Sequence, residues 1–206
     1  MKIKKFRIRP RISTVQRILK TLLAVRQLPP DLEETLAQES ETFLTHITPT
    51  AFYVTWSGEN IPSSFQEILK TSASPKAVAV SVSALVATIG PGPEEVISDL
   101  LLNGETQRAQ TITAFGEEAA DQAFQFLLRL LSEEAQGDDC EVSDPVPVSD
   151  LALLGETLSL LEAEQEGISI DTASHLTPRF TRVGLVLWTP VKKRRPAATP
   201  SKKRAA

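Results

Sequence analysis

Hydrophobic residues recur along this chain with two different periods, and segments of the two kinds are interleaved from end to end. A spacing of three and four residues indicates helices, whereas strict alternation indicates strands. The first alternating segment places Ile3, Phe6 and Ile8 among lysines and arginines before Pro10. Charged side chains beside an open sheet edge oppose aggregation. The pattern therefore predicts a short N-terminal edge strand.

Two helices are predicted to follow the edge strand. Ser13 is expected to cap the first, which stops before Pro29, and Asp31 is expected to cap the second, which ends near His46. In each helix the apolar residues recur at helical spacing. These residues are Val15, Ile18, Leu19, Leu22 and Leu23 in the first helix, and Leu32, Leu36, Phe43 and Leu44 in the second.

The next segment carries strand-forming residues and a capping signal. The β-branched and aromatic run Ala51–Trp56 predicts a strand, and Gly58–Asn60 predicts its turn. Ser64 and Glu67 have the spacing of a capping box, which predicts a short helix that ends at Lys70.

An apolar run at Lys76–Gly90 predicts a central strand that is buried on at least one face. Its alternating residues are Val78, Val80, Val82 and Ala84. Helices are expected at about 93–103 and 117–136, with an extended segment at Gln110–Phe115 between them that would pair as a strand.

The C-terminal third combines one helix with short extended segments. Residues 137–149 are polar and proline-rich, and residues 150–165 predict a helix. Extended segments are expected at 168–171 and 182–189. The apolar face of the helix would consist of Leu151, Leu154, Leu158 and Leu161.

Helices and strands are mixed without strict alternation, and no internal repeat is visible. This order favours an α+β fold with a bent antiparallel or mixed sheet and flanking helices over a doubly wound parallel sheet. With 206 residues the chain is long enough for one domain with a sizeable core. We expect a single domain over residues 1–190 and a basic, disordered tail over 191–206.

Charge is distributed unevenly, although the net charge is only -4 at pH 7. Residues 2–11 hold six basic residues and residues 192–206 hold seven, so the rest of the chain has nine basic and 26 acidic residues, a net charge of -17. A body this acidic disfavours binding to duplex DNA. One hypothesis is therefore an acidic scaffold that its basic tail tethers to nucleic acid or another polyanion.

Nothing at the N-terminus resembles a signal peptide, and no apolar run reaches the roughly 20 residues of a membrane span. These features predict a cytoplasmic protein without a membrane partner. Cys140 is the single cysteine and lies among acidic residues, so we expect an unreactive thiol.

Few residues have a spacing that indicates chemistry. The turn that begins at Gly90 precedes a helix, but two prolines remove amide donors and Glu94 and Glu95 would repel an anion, which favours a structural turn. His46 and His175 have no partner at ligand spacing, so no metal site is predicted. Glu117 and Glu118 are expected to be helix-start acids, and no catalytic residue is predicted.

Two patches carry a family resemblance. Residues 84–135 contain Thr-Ile-Gly after a strand, then Ala109, the Ala-Phe-Gly of 114–116, Glu118 and Ala119, and residues 167–188 contain Pro178-Arg179 before a last apolar strand. Together they resemble the activation domain of cobalamin-dependent methionine synthase, as a stand-alone member. The resemblance implies a C-shaped domain with a bent antiparallel sheet that binds S-adenosylmethionine while a reduced cobalamin is remethylated.

The cofactor motif of that family, Arg-x-x-x-Gly-Tyr, is missing. Glu141, Pro145 and Val146 stand at its expected positions. The departure predicts that S-adenosylmethionine affinity has been lost and that cobalamin is met only through a partner.

The resemblance leaves Pro178 and Arg179 as the candidate cofactor contacts, against the alternative that Arg179 forms a surface ion pair. The first functional hypothesis is a non-catalytic accessory protein for corrinoid-dependent methyl transfer or reactivation, which docks on a corrinoid-binding methyltransferase or methionine synthase module. The second is an S-adenosylmethionine-binding reactivation enzyme for cobalamin-dependent methionine synthase.

Overall fold

The structure is a computed structural model that describes residues 1–4, 6–72 and 78–191, apart from the side chains of 70–72. The helices are α1 (Ile12–Leu22), α2 (Pro30–Leu44), α3 (Ser63–Ser72), α4 (Gly92–Leu102), α5 (Thr106–Gly137) and α6 (Leu151–Leu160). The strands are β1 (Lys2–Lys4), β2 (Thr50–Ser57), β3 (Ser81–Thr88), β4 (Cys140–Val142), β5 (Val146–Pro147), β6 (Ser169–Ile170), β7 (Leu176–Thr177) and β8 (Thr181–Pro190).

The main sheet has the order β1-β2-β3-β8-β4, and β5 also pairs with β8. All of these pairs are antiparallel. Strand β3 lies at the centre, where Leu85 stands opposite Tyr53 of β2 and Gly184 of β8. Strands β6 and β7 form a separate antiparallel pair. The prediction of an α+β fold with an antiparallel sheet is confirmed.

Each face of the sheet has its own apolar core because the side chains of β3 alternate. Leu85 and Ala87 pack with the buried residues of α1, α2 and α5. Val82, Ala84 and Val86 pack with α6 and with Phe65 of α3 on the other face. Strand β3 is therefore buried throughout, as expected for a central strand.

The long helix α5 corrects the largest error of the sequence analysis. Residues 110–115 were expected to be an extended strand between two helices, but they lie inside one continuous helix of 32 residues. Every residue from Thr111 to Phe115 is buried, so this part of the helix has no solvent-facing side. Hydrophobic and polar residues therefore do not recur there with the helical period of about 3.6 residues. The β-branched threonines were misleading because, within the helix, Thr111 and Thr113 donate to the carbonyls of Gln107 and Ala109.

Several predicted helix starts are also wrong. Helix α1 begins after Arg11 without a side-chain cap, so Ser13 lies inside it. Pro29 precedes α2, and Asp31 lies in its first turn rather than at the cap. Ser64 lies within α3 and donates its hydroxyl to Glu156 instead of capping.

The C-terminal helix is shorter than predicted. Asp150 caps α6 by accepting the Leu153 N–H at 2.8 Å, but the helix ends at Leu160 because Glu162 adopts a left-handed conformation. Leu151 is exposed, unlike the other three leucines of the predicted apolar face.

The central strand is also shorter than predicted, since β3 begins at Ser81, and both Val78 and Val80 are exposed. Residues 73–77 and the tail over 192–206 lie outside the described residues.

Tyr53 provides a direct optical test of this packing because it is the only tyrosine of the chain. Burial of the ring and the hydrogen bond from its hydroxyl to Glu134 raise the pKa of Tyr53 to about 12. We expect the ultraviolet absorbance of tyrosinate to rise with a midpoint near that pH in the folded protein, and near the ordinary value of about 10 in urea.

Because the pKa of Tyr53 is higher in the folded protein than in the unfolded chain, the protonated phenol stabilises the fold fully below pH 10. This stabilisation is lost as the pH rises towards 12. A Tyr53→Phe variant should lack this part of the alkaline loss of stability. A folded-state midpoint equal to that in urea would show that the phenol is not held in this environment.

Candidate ligand groove at Arg179

Arg179 lies in the link between β7 and β8, and the link is held firmly at both ends. Phe180 is fully buried, and the Thr181 hydroxyl lies 2.6 Å from the Pro178 carbonyl and 3.0 Å from the Thr88 hydroxyl on β3. The Thr177–Pro178 peptide bond is cis. The backbone of Arg179 is therefore fixed to the central sheet.

The side chain of Arg179 is much less constrained than its backbone. The backbone N–H donates to the carboxylate of Glu94, but the side chain is 55% exposed and its Nη2 lies 4.0 Å from Glu117 Oε1. Glu117 has a shorter contact with Arg182, at 2.6 Å. The guanidinium also lies 5.4 Å from the centre of the Phe180 ring. Arg179 therefore has a long ion pair and remains accessible to a ligand.

A groove of about 670 Å³ opens beside Arg179, within the size range of small-molecule sites. The groove brings together a cation, carboxylates and apolar side chains. Its lining includes Glu94, Leu151, Leu154, Asp171, Leu176 and Arg179. Pro178 is buried beside this groove and is absent from its lining. The structure therefore separates the two residues predicted to contact a cofactor: one lines the groove and the other supports the link.

The turn before α4 positions Glu94 for its contact with Arg179. Gly90 has a φ of +83°, and a Cβ there would lie 2.2 Å from Thr48 Oγ1. A Cβ on Gly92 would lie 2.2 Å from the His46 carbonyl oxygen. Both glycines allow close backbone packing, which is a structural role.

The positions of the missing family motif lie along β8, away from Arg179. Glu141 stands opposite Thr189 in the sheet, and Val146 stands opposite Leu185. Arg179 lies two residues before Thr181, the first residue of β8. Because an antiparallel strand rises about 3.4 Å per residue, Thr189 lies about 27 Å along β8 from Thr181. Glu141 is exposed and does not line the groove.

Helix α5 contributes a buried charge that the sequence analysis missed. Glu117 and Glu118 were expected to start a helix, but they lie in the middle of α5 because the helix begins at Thr106. Glu118 is 1% exposed; it accepts from Arg11 Nε at 2.8 Å and from the Gln122 amide at 2.7 Å. The sequence marks Glu118 only as part of the patch that carries the family resemblance, and its partner Arg11 lies 107 positions away.

Within the described residues, no group of three or more His, Cys, Asp or Glu side chains is placed to hold a metal ion. His46 follows the end of α2, and His175 is exposed with its Nδ1 3.9 Å from Asp171. Cys140 is buried at the start of β4. Trp188 is buried and donates its indole N–H to Ser83.

None of the helices in the described part of the chain has both the length and the apolar character needed to cross a membrane.

Comparisons with known proteins indicate the fold. A scan against protein-family models and a search of curated protein sequences each found no match. Among solved structures, the MetH reactivation domain bound to AdoHcy matches with a TM-score of 0.58 at 11% sequence identity. The match covers 95% of this chain and 80% of that domain. The resemblance noted in the sequence is therefore confirmed as a likeness of fold: this chain has an α+β fold similar to that of the MetH reactivation domain.

Proposed function

We propose that this protein is a non-catalytic accessory protein for corrinoid-dependent methyl transfer or reactivation, and that it docks on a cobalamin-binding partner. The observation that carries this proposal is the backbone similarity to the MetH reactivation domain over 95% of the chain. A match of that extent leaves little of the chain outside it, so the proposal rests on the whole backbone and not on one local motif.

The side chains at the motif positions favour an accessory role over catalysis. The solved neighbour binds AdoHcy, so its ligand carries an amino-acid carboxylate. In this chain Glu141 would place an exposed negative charge where the family motif has an arginine, and Val146 has no hydroxyl to donate. These residues do not fit S-adenosylmethionine at that position, because a carboxylate repels a carboxylate and the lost donors are not replaced.

The test is complex formation with the cobalamin-binding module of a cobalamin-dependent methionine synthase. The full chain and the cobalamin-loaded module are mixed at low salt without S-adenosylmethionine and separated by size-exclusion chromatography. We expect the visible absorbance of cobalamin to move to an earlier elution volume with this chain. A serum corrinoid carrier is the control, and its elution should not change. A methionine synthase module that elutes unshifted at micromolar concentrations would contradict docking.

A second candidate is an S-adenosylmethionine-binding reactivation enzyme, and the Arg179 groove specifically favours it. The exposed guanidinium of Arg179 suits the ligand carboxylate, while Glu94 and Asp171 suit its positive charges. The apolar side chains of Leu154 and Leu176 offer a surface for adenine. In this case the ligand would bind at the β7–β8 link and not at the positions of the missing motif.

The second candidate makes its own prediction. If S-adenosylmethionine binds in the groove, Arg179→Ala should weaken it at least about tenfold, since a hydrogen bond to a charged group is lost. Arg17→Ala is the matched control because Arg17 is also exposed but lies on α1, outside the groove. Calorimetric titration of both variants measures the effect. Equal affinities in the two variants would remove Arg179 from any cofactor site.

A further inference from the structure

A second groove, separate from the one at Arg179, has a strongly basic lining. It lies between residues 6–11 and one side of α5, and its volume is about 530 Å³. Four arginines line it: Arg7, Arg9, Arg11 and Arg129. They come from two segments more than 100 residues apart, so the fold assembles this charge cluster. The volume falls within the range of small-molecule sites.

Three of these arginines have no ion-pair partner among the described residues. Arg11 contacts Glu118, but within residues 1–4, 6–72 and 78–191 no carboxylate lies within ion-pair distance of Arg7, Arg9 or Arg129. By contrast, the nearby lysines of β1 both contact Glu166. In a chain whose body has an excess of acidic residues, three unpaired guanidinium groups around one concavity are an unusual arrangement.

The acidic side chains at the groove are already engaged. Asp121 lines the groove, and its Oδ1 accepts from Arg182 Nε at 2.8 Å. Glu118 is buried against Arg11. The groove therefore keeps a positive field that its own carboxylates do not neutralise.

Aromatic stacking and buried apolar side chains connect the two walls of the groove. Phe6 and Phe126 stack with ring centroids 4.6 Å apart and planes inclined by 15°. Ile8 and Pro10 are buried, so the arginines on either side of them point to the surface in alternation. The exposed amide of Gln125 adds hydrogen-bonding capacity.

From this arrangement we propose that the groove binds a small ligand that carries a diphosphate or triphosphate group, through Arg7, Arg9 and Arg129. Guanidinium groups match phosphate oxygens in geometry and bind them through paired, charge-assisted hydrogen bonds. A small phosphorylated molecule fits better than a nucleic acid strand, because a long polyanion would extend over the acidic body and be repelled. This site is independent of the proposed docking function.

The test uses inorganic pyrophosphate as the probe and the full chain at low salt. We expect saturable binding in calorimetry, with an affinity that falls as sodium chloride is raised. The double variant Arg9→Gln/Arg129→Gln should lose at least about tenfold in affinity, since each substitution removes charged hydrogen bonds. Circular dichroism checks the fold, and a lysine pair at the same positions, Arg9→Lys/Arg129→Lys, should retain part of the binding.

Arg17→Gln is the matched control, because Arg17 is exposed on α1 and does not line the groove. Every protein compared keeps residues 192–206, so any contribution of that basic segment is the same in all of them. Absence of saturable binding, or equal affinity in the glutamine pair and the control, would overturn the proposal.

Discussion

Phe180→Ala is expected to lower the free energy of unfolding by about 3–5 kcal/mol, as is typical when a buried aromatic ring is removed. Phe180 is fully buried and packs directly against Gly116 of α5. It also connects Arg179 to the first residue of β8, so the lost ring would loosen the link that lines the groove. Urea denaturation followed by circular dichroism measures the change.

Gly116→Ala gives an internal check on that contact. A Cβ at Gly116 would lie 2.5 Å from Cε1 of the Phe180 ring, so the ring must shift, and overpacking of this kind costs about 1–3 kcal/mol. In the double variant Gly116→Ala/Phe180→Ala, the new methyl group at position 116 enters the space left by the Phe180 ring. The double variant should therefore be more stable than the sum of the single changes predicts. Strict additivity would show that the two residues do not touch.

Arg11→Ala is expected to destabilise the protein more than an ordinary surface substitution does, although most of the Arg11 side chain is exposed. The reason lies with its partner, because the substitution leaves the Glu118 carboxylate buried with the Gln122 amide as its remaining side-chain donor. An unpaired buried charge is costlier than the loss of the exposed partner alone. Thermal and urea unfolding near neutral pH measure this difference.

Adding Glu118→Gln to the Arg11→Ala variant tests whether stability is lost through the unpaired buried charge of Glu118 or through the loss of the Arg11 side chain itself. The amide has nearly the same shape and no charge, so the double variant should recover part of the lost stability. Arg7→Ala is the matched control, since Arg7 comes from the same segment and has no ion pair among the described residues. A double variant less stable than Arg11→Ala alone would contradict the account of a buried, uncompensated charge.

The long strands β2, β3 and β8 could be predicted from sequence because their local signals agreed with their tertiary surroundings. Ala51–Trp56 is β-branched and aromatic, and the structure places it in β2. The apolar run that became β3 lacks charges because both of its faces are buried. Helix α5 could not be predicted in the same way. Residues 111–116 are buried on all sides, so hydrophobic and polar residues do not alternate there with the period of a helix.

The sites depend on long-range contacts that sequence patterns do not contain. Arg11 and Glu118 are 107 positions apart, and nothing local connects them. Arg179 was identified from a resemblance, but its contact with Glu94 spans 85 positions and required the fold. The basic residues of 2–11 were visible in the sequence, yet only the structure shows that Arg129 joins three of them, Arg7, Arg9 and Arg11, in one groove.

The central proposal is that a fold similar to that of the MetH reactivation domain serves docking in this protein, without S-adenosylmethionine chemistry. One calorimetric experiment tests it most directly. S-adenosylmethionine is titrated to millimolar concentration into folded protein, and the cobalamin-binding module of a methionine synthase is then titrated into the same sample. The account predicts no saturable heat from the first ligand and saturable heat from the second. Saturable binding of S-adenosylmethionine would contradict the loss of the cofactor site, and no response to the module would contradict docking.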